Sequence, residues 1–142
     1  MHNIPLFKVF MADTAATEVG KVLNSGFVGE GPKVKEFENS LREWIGNHRI
    51  AATNSATSAE HLALRLVRKT HGVKDGDEVL ATPLTCTATN WPILANNLKI
   101  KWVDVDSNNL NMDLDDLERK LSPSTKVIFL VHWGGYPVDL DR

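Results

Sequence analysis

A chain of 142 residues, 42% hydrophobic and 24% charged, with a formal net charge of -2, has the composition of an ordinary globular protein able to bury a sizeable core. Lys and Arg are scattered among acids without forming a stripe, so nucleic acid is not an implied partner; apolar runs such as Val127-Ile128-Phe129-Leu130-Val131 are strand-length, and no membrane span is expected. The single cysteine, Cys86, excludes an internal disulfide framework, and Met1-His2-Asn3 lacks a basic lead-in to an apolar core, so the expectation is a cytoplasmic protein.

Residues 5 to 10 read as apolar and irregular. Asp13 or Thr14 can cap a helix to about Asn24 that turns Val19, Val22 and Leu23 inward, and Ser25-Gly26 stops it. Gly26-Phe27-Val28-Gly29-Glu30-Gly31-Pro32 is a connector or a loop shaped for close approach. Pro32 fits the first turn of a second helix, about 33 to 45, with Val34, Phe37, Leu41 and Trp44-Ile45 on one face.

The apolar run Ile50-Ala51-Ala52-Thr53 reads as a strand delivering Asn54-Ser55-Ala56-Thr57-Ser58-Ala59, whose small residues let backbone N–H groups and hydroxyls face one ligand. Asn54 or Ser55 is a natural N-cap, and Ala59, Leu62, Ala63, Leu66 and Val67 have the spacing of an amphipathic helix that His71-Gly72 closes. First-turn N–H groups are unpaired and the helix dipole favours negative charge, so this is the order of parts that phosphate sites use. Ordinary capping explains the same residues, so the cradle rests on the other segments as well.

Asp75-Gly76-Asp77 turns into a strand Glu78 to Thr82, and Thr85-Cys86-Thr87-Ala88-Thr89-Asn90 leads into a helix of roughly 87 to 97. A strand Ile100 to Val103 ends in Asp104-Val105-Asp106, Asp113 caps a helix Leu114 to Leu121 with Asp116 at its third position, and Lys126 to Val131 reads as a buried strand. Strands alternating with helices argue for a parallel sheet covered on both faces, a three-layer α/β/α fold whose ligands sit beyond the strands' carboxyl ends. The small, polar and aromatic clusters all fall there. The chain reads as one α/β domain over 1–142, without internal repeats.

These segments resemble the opening part of a sugar aminotransferase of the DegT/DnrJ/EryC1/StrS family, pyridoxal-phosphate enzymes of the aspartate aminotransferase fold. The likeness is carried by Ser25-Gly26-Phe27-Val28-Gly29-Glu30-Gly31-Pro32 with Phe37-Glu38, Asn54 to Leu64, Thr85 to Asn90, Val103-Asp104-Val105-Asp106 with Leu110-Asn111-Met112-Asp113, and Val131-His132-Trp133-Gly134-Gly135-Tyr136-Pro137-Val138-Asp139. Five ordered segments are far more specific than any one. The resemblance implies the N-terminal portion of the large, cofactor-binding domain, with its C-terminal part and the small domain absent.

It places the family's first motif on Ser55 to Glu60, with its phosphate-binding pair on Thr57 and Ser58 beside Ser55 and Ala56 of the cradle, and the cofactor-stacking position, an aromatic in the family, on Cys86; Thr87, Thr89 and Asn90 become wall residues. It implies pyridoxal 5'-phosphate, a nucleotide-linked keto sugar, an amino-acid donor such as glutamate, and a homo-oligomer. Transamination also needs a Schiff-base lysine and a carboxylate on the pyridine nitrogen. The family places both beyond Arg142, and Lys69, Lys74, Lys99, Lys101, Lys120 and Lys126 fall at helix ends or strand starts, so no catalytic residue is assigned and the chain alone is expected not to transaminate.

The rival expectation is a non-catalytic remnant that binds phosphate-bearing small molecules or a partner chain. Cys86 reads more readily as a buried small hydrophobe than as a nucleophile with His132. His61, offset from the apolar stripe, reads as helix surface, Trp44 and Trp91 as packing residues, and Asp104 and Asp106 as turn formers. His2, His48 and His71 show no ligand spacing, so no metal is expected.

Overall fold

The computed structural model describes residues 8–142, so the expectation for residues 5 to 7 lies outside the described residues. Contacts divide the chain into two units, one up to Ala52 and one from Thr53 to Arg142.

The first unit holds α1 (Ala15–Ser25) and α2 (Pro32–Ile45), both ended by a glycine in the left-handed region, Gly26 and Gly46, as the sequence predicts. Their apolar residues do recur on one side, but no residue of either helix is fully buried. Val19, Leu23 and Phe37 are exposed, and Trp44, expected to pack, is 84% exposed. Periodicity forms an amphipathic face, along which Val22, Val34 and Leu41, expected inward, are half-buried.

Ile50 to Thr53 is not a strand. Its backbone groups are taken by α2 side chains: Arg42 Nη2 donates to the Ile50 carbonyl at 2.7 Å, and Glu38 accepts the Ala52 N–H at 2.8 Å and an N–H of Arg42 at 2.9 Å. The Ala52 N–H, then Arg42, hold the Glu38 carboxyl below the usual carboxylate range. A segment whose N–H and C=O are satisfied by an ion pair has no need of a ladder.

The second unit is the α/β body: α3 (Ala56–His71), β1 (Glu78–Ala81), α4 (Thr87–Ala95), β2 (Lys99–Trp102), α5 (Leu114–Lys120) and β3 (Thr125–Phe129). β1 is central and parallel to both neighbours, in the order β2-β1-β3. Alternation along β1 divides the core. Val79 and Ala81 pack with Leu64, Ile93 and Leu98 on the α3/α4 side, where Ile100, Val127 and Phe129 join them. Leu80 faces the other way, with Val103 and Met112, against Leu117 of α5. Helices therefore cover both faces of a parallel sheet, the expected three-layer arrangement. β3 is a sheet edge rather than a fully buried strand, and its Ile128 is 44% exposed.

The buried stripe of α3 shares only Val67 with the expected one. Leu62 and Leu66 are exposed, whereas Leu64 is 2% exposed and Val67 packs beside it. His61, expected on the surface, is half-buried on that inner face, because Asn96 at the end of α4 donates to its carbonyl and meets its Nδ1, both at 3.3 Å. The contact spans 35 residues of sequence.

At the other face Asp113 caps α5, its Oδ1 accepting the N–H groups of Asp115 and Asp116. Asp116 does not reach back to its own cap. It accepts the Asp104 N–H at 2.8 Å and pairs with Lys120 and Arg119, tying the end of β2 to α5. The Asp104 N–H, followed by Lys120, lowers the Asp116 carboxyl from 3.8 to about 2. A depressed carboxylate pKa contributes stability that is fully present above the unfolded value and is lost as pH falls through the folded one. The wild-type chain is thus expected to lose stability between 3.8 and about 2, a loss that Asp116→Asn, less stable at neutral pH, should not show in acid melts. Parallel pH profiles for the two proteins would sink this assignment.

Candidate functional site

α3 and α4 flank β1 in sequence and both run antiparallel to it, so their N-termini lie toward the carboxyl ends of the strands. The loops after β1, β2 and β3 leave from that same edge. One edge therefore gathers the segments that sequence reasoning singled out.

At the start of α3, Ser55 is the N-cap, in extended conformation. Its Oγ accepts the Ser58 N–H at 3.1 Å and donates to the Ser58 hydroxyl oxygen at 3.0 Å, while Thr53 donates to the Ser55 carbonyl at 2.8 Å. Among the described residues no acceptor meets the N–H groups of Ala56 and Thr57. Ser55, Ala56 and Ser58 are exposed and Thr57 is half-buried. A capped end with two free N–H groups and one hydroxyl free to donate, all at a helix N-terminus, is able to take an anion.

Cys86 is the N-cap of α4 and makes no side-chain cap. The expectation of a buried cysteine is wrong: an extended N-cap residue projects from the helix end, and this thiol is exposed. Thr85 donates to Thr89 at 3.2 Å, fixing the first turn. Asn90 is buried and donates to the Thr82 carbonyl at 3.2 Å, and its Oδ1 has no partner among the described residues. Thr85, Thr87 and Asn90 line a cavity of about 290 Å³ with Trp91, Ile100 and Trp102. Trp91 is 60% exposed there and is not the packing residue expected.

Asp104 and Asp106 accept the N–H groups of Val105 and Asn108, the turn-forming work expected of them. Lys101 pairs with Glu78 at 3.4 Å near the amino ends of the strands, Lys120 with Asp116 at 2.6 Å, and Lys126 donates to the Pro123 carbonyl at 2.7 Å.

Sequence reasoning placed Asn111 in a family segment but gave it no role. It is 3% exposed and its side chain organises the loop after β3, Oδ1 accepting the Trp133 N–H at 2.9 Å and Nδ2 donating to the carbonyls of Tyr136 and Pro137. No local pattern announces such a role, since its partners lie 22 to 26 residues on.

Two N–H groups without an acceptor and the Ser58 hydroxyl, at the positive end of a helix dipole, are donors of the kind that a phosphate takes.

The sequence is 36% identical over 140 residues to the spore coat polysaccharide biosynthesis protein SpsC of Bacillus subtilis, covering 99% of this chain and 35% of that protein. The sugar aminotransferase CalS13 from Micromonospora echinospora superposes with a TM-score of 0.84 at 52% identity, over 98% of this chain and 37% of that one. The GDP-4-keto-6-deoxy-D-mannose-3-dehydratase of E. coli, with bound hydrated PLP, does so with a TM-score of 0.85 at 29% identity, over 99% and 37%. The chain thus spans little more than a third of the length of these relatives. Residues 10–142 match the model of the DegT/DnrJ/EryC1/StrS aminotransferase family, and the chain belongs to that family.

Proposed function

We propose that this chain is the N-terminal part of a pyridoxal-phosphate enzyme that aminates a nucleotide-linked keto sugar, and that it supplies the phosphate cradle and part of the pocket wall. The observation that carries the reading is the start of α3, where Ser55 caps the helix and leaves the Ala56 and Thr57 N–H groups free. Ser55, Ala56, Thr57 and Ser58 would hold the phosphate by N–H and hydroxyl donation. Cys86 and Thr89 would stand at the wall, the thiol against the ring with less contact than an aromatic offers. When bound, the cofactor supplies the electron sink of amino transfer. The lysine and carboxylate that such chemistry needs are assigned to no residue here, so the chain alone is expected not to transaminate.

Titration with pyridoxal phosphate tests the cradle. Slowed hydrogen exchange at residues 56–58, reproduced more weakly by inorganic phosphate, is the expected result. Unchanged exchange at millimolar ligand would reduce the stretch to a capped helix.

The rival, a non-catalytic remnant that associates with another chain, draws on the exposed apolar residues of α1 and α2 and on β2 and β3, the edge strands of the sheet among the described residues. The same features support homo-oligomerisation of the chain. Light scattering checks it: a monomer at high concentration would count against the oligomer.

A further inference from the structure

Two anchors of different chemistry close the loop after β3. Asn111 accepts the Trp133 N–H and donates to the Tyr136 and Pro137 carbonyls, and an amide keeps those roles at any ordinary pH. Gly134 and Gly135, at φ 60° and 83°, turn the chain back, and the Gly135 and Tyr136 N–H groups donate to the carbonyls of His132 and Trp133 at 3.0 Å. The second anchor is His132, whose Nδ1 accepts the Val138 N–H at 3.1 Å. A backbone N–H can only donate, so Nδ1 serves it only while it carries no proton, and histidine is the side chain type that exchanges such a proton near neutrality. The two partners differ in what they can do without each other. His132 is exposed and water can take its imidazolium, whereas Val138 is buried and its N–H meets no other acceptor among the described residues.

We infer that His132 is a proton-operated latch: the unprotonated ring closes the loop onto Val138, and protonation at Nδ1 releases that end while Asn111 keeps the other. The inference does not rest on the proposed cradle. The proton comes from solvent, and the Val138 N–H, left facing a second donor, regains a partner only by opening to water. The charged groups on the segments that meet the loop do not oppose a positive ring, since most are acids. Asp104, Asp106 and Asp113 flank Asn111, Asp139 and Asp141 follow Val138, and none of them is bonded to the imidazole. Arg142, the cation of that stretch, is engaged by Asp115 of α5, and Lys126, the charged residue of β3, lies toward the other end of the strand. A positive charge at His132 is therefore tolerated, and what it removes is the Val138 hydrogen bond.

The test is a pH titration of the 142-residue chain, followed by nitrogen-15 NMR of the imidazole and by hydrogen exchange of the loop amides, corrected for the intrinsic pH dependence of exchange. At high pH the ring should carry its proton on Nε2. As Nδ1 takes up the second proton, protection of the Val138 amide should fall at least about fivefold with the same midpoint, while that of the Trp133 amide, held by Asn111, stays within about twofold. His132→Gln, whose side-chain oxygen accepts without titrating, should keep Val138 protected through the same range, and His132→Phe should leave it unprotected at every pH. Constant Val138 protection across the ring's own titration would overturn the latch. So would a pH response that survives in His132→Gln, which would assign it to the neighbouring acids. A loss at Val138 and Trp133 together would make the change part of general unfolding and would also overturn it.

Discussion

Ser58→Glu is expected to leave the fold as stable as before, or slightly more so, while weakening phosphate and pyridoxal phosphate binding at least about tenfold, which corresponds to about 1.4 kcal/mol. Ser58 is the third residue after the Ser55 cap, and its N–H is already taken by the Ser55 hydroxyl. A glutamate there completes the reciprocal pattern in which the acid reaches back to the N–H of the cap, and its charge suits the helix dipole. The same charge stands where the anion would bind, and two charges about 4 Å apart repel by roughly 1 to 4 kcal/mol between water and a protein surface. Stability and binding therefore move apart, which mere loss of structure cannot do. Thermal melts with isothermal titration check it, with Ser55→Ala as the control that removes the cap at a cost of about 1 kcal/mol. Undiminished affinity in Ser58→Glu would remove the start of α3 from the site.

Ile93→Ala should have the largest effect on stability, about 3 to 4 kcal/mol. Ile93 is fully buried between α4 and the sheet, against Leu64, Val79, Ala81 and Leu98. Removing three of its carbons forfeits both transfer energy and contacts that the cluster regains only by collapsing. At about 4 to 8 °C per kcal/mol for a unit of this size, the melting temperature should fall by roughly 12 to 30 °C. Leu62→Ala, on the exposed side of α3, should cost under about 1 kcal/mol. Chemical denaturation of both variants decides it: similar losses would mean that the buried side of α3 and α4 has been misplaced.

The contrast between those two helices shows what was legible. Ala59, Leu62, Ala63, Leu66 and Val67 form a helical stripe as good on paper as the one through Leu64 and Val67, and hydrophobicity alone cannot rank two overlapping apolar faces of one helix. Packing can. Asn96 engages His61 and Pro92 with the side-chain nitrogen, while Arg68 donates to the Asn96 carbonyl and pairs with Asp75. That set of contacts turns the polar flank of α3 toward α4, and nothing in the spacing of the apolar residues encodes it. The role of Asn111 went unread for the same reason, as did the exposure of Cys86.

By itself the sequence determined what depends on near neighbours. The Ser55 and Asp113 caps, the stops at Gly26, Gly46 and Gly72, the order of helices and strands in the α/β unit, and the family are all written in residues a few places apart, because caps, turns and periodicity are local hydrogen bonding and local geometry. Tertiary structure alone decided that Ile50 to Thr53 gives its backbone to Glu38 and Arg42 instead of to a sheet, that α3 buries Leu64 and not Leu62, and that Asn111 and Val138 orient the loop and ring of His132. In those cases the deciding partner is supplied by the folded chain, and a polar group takes whichever partner the fold brings within 3 Å or so.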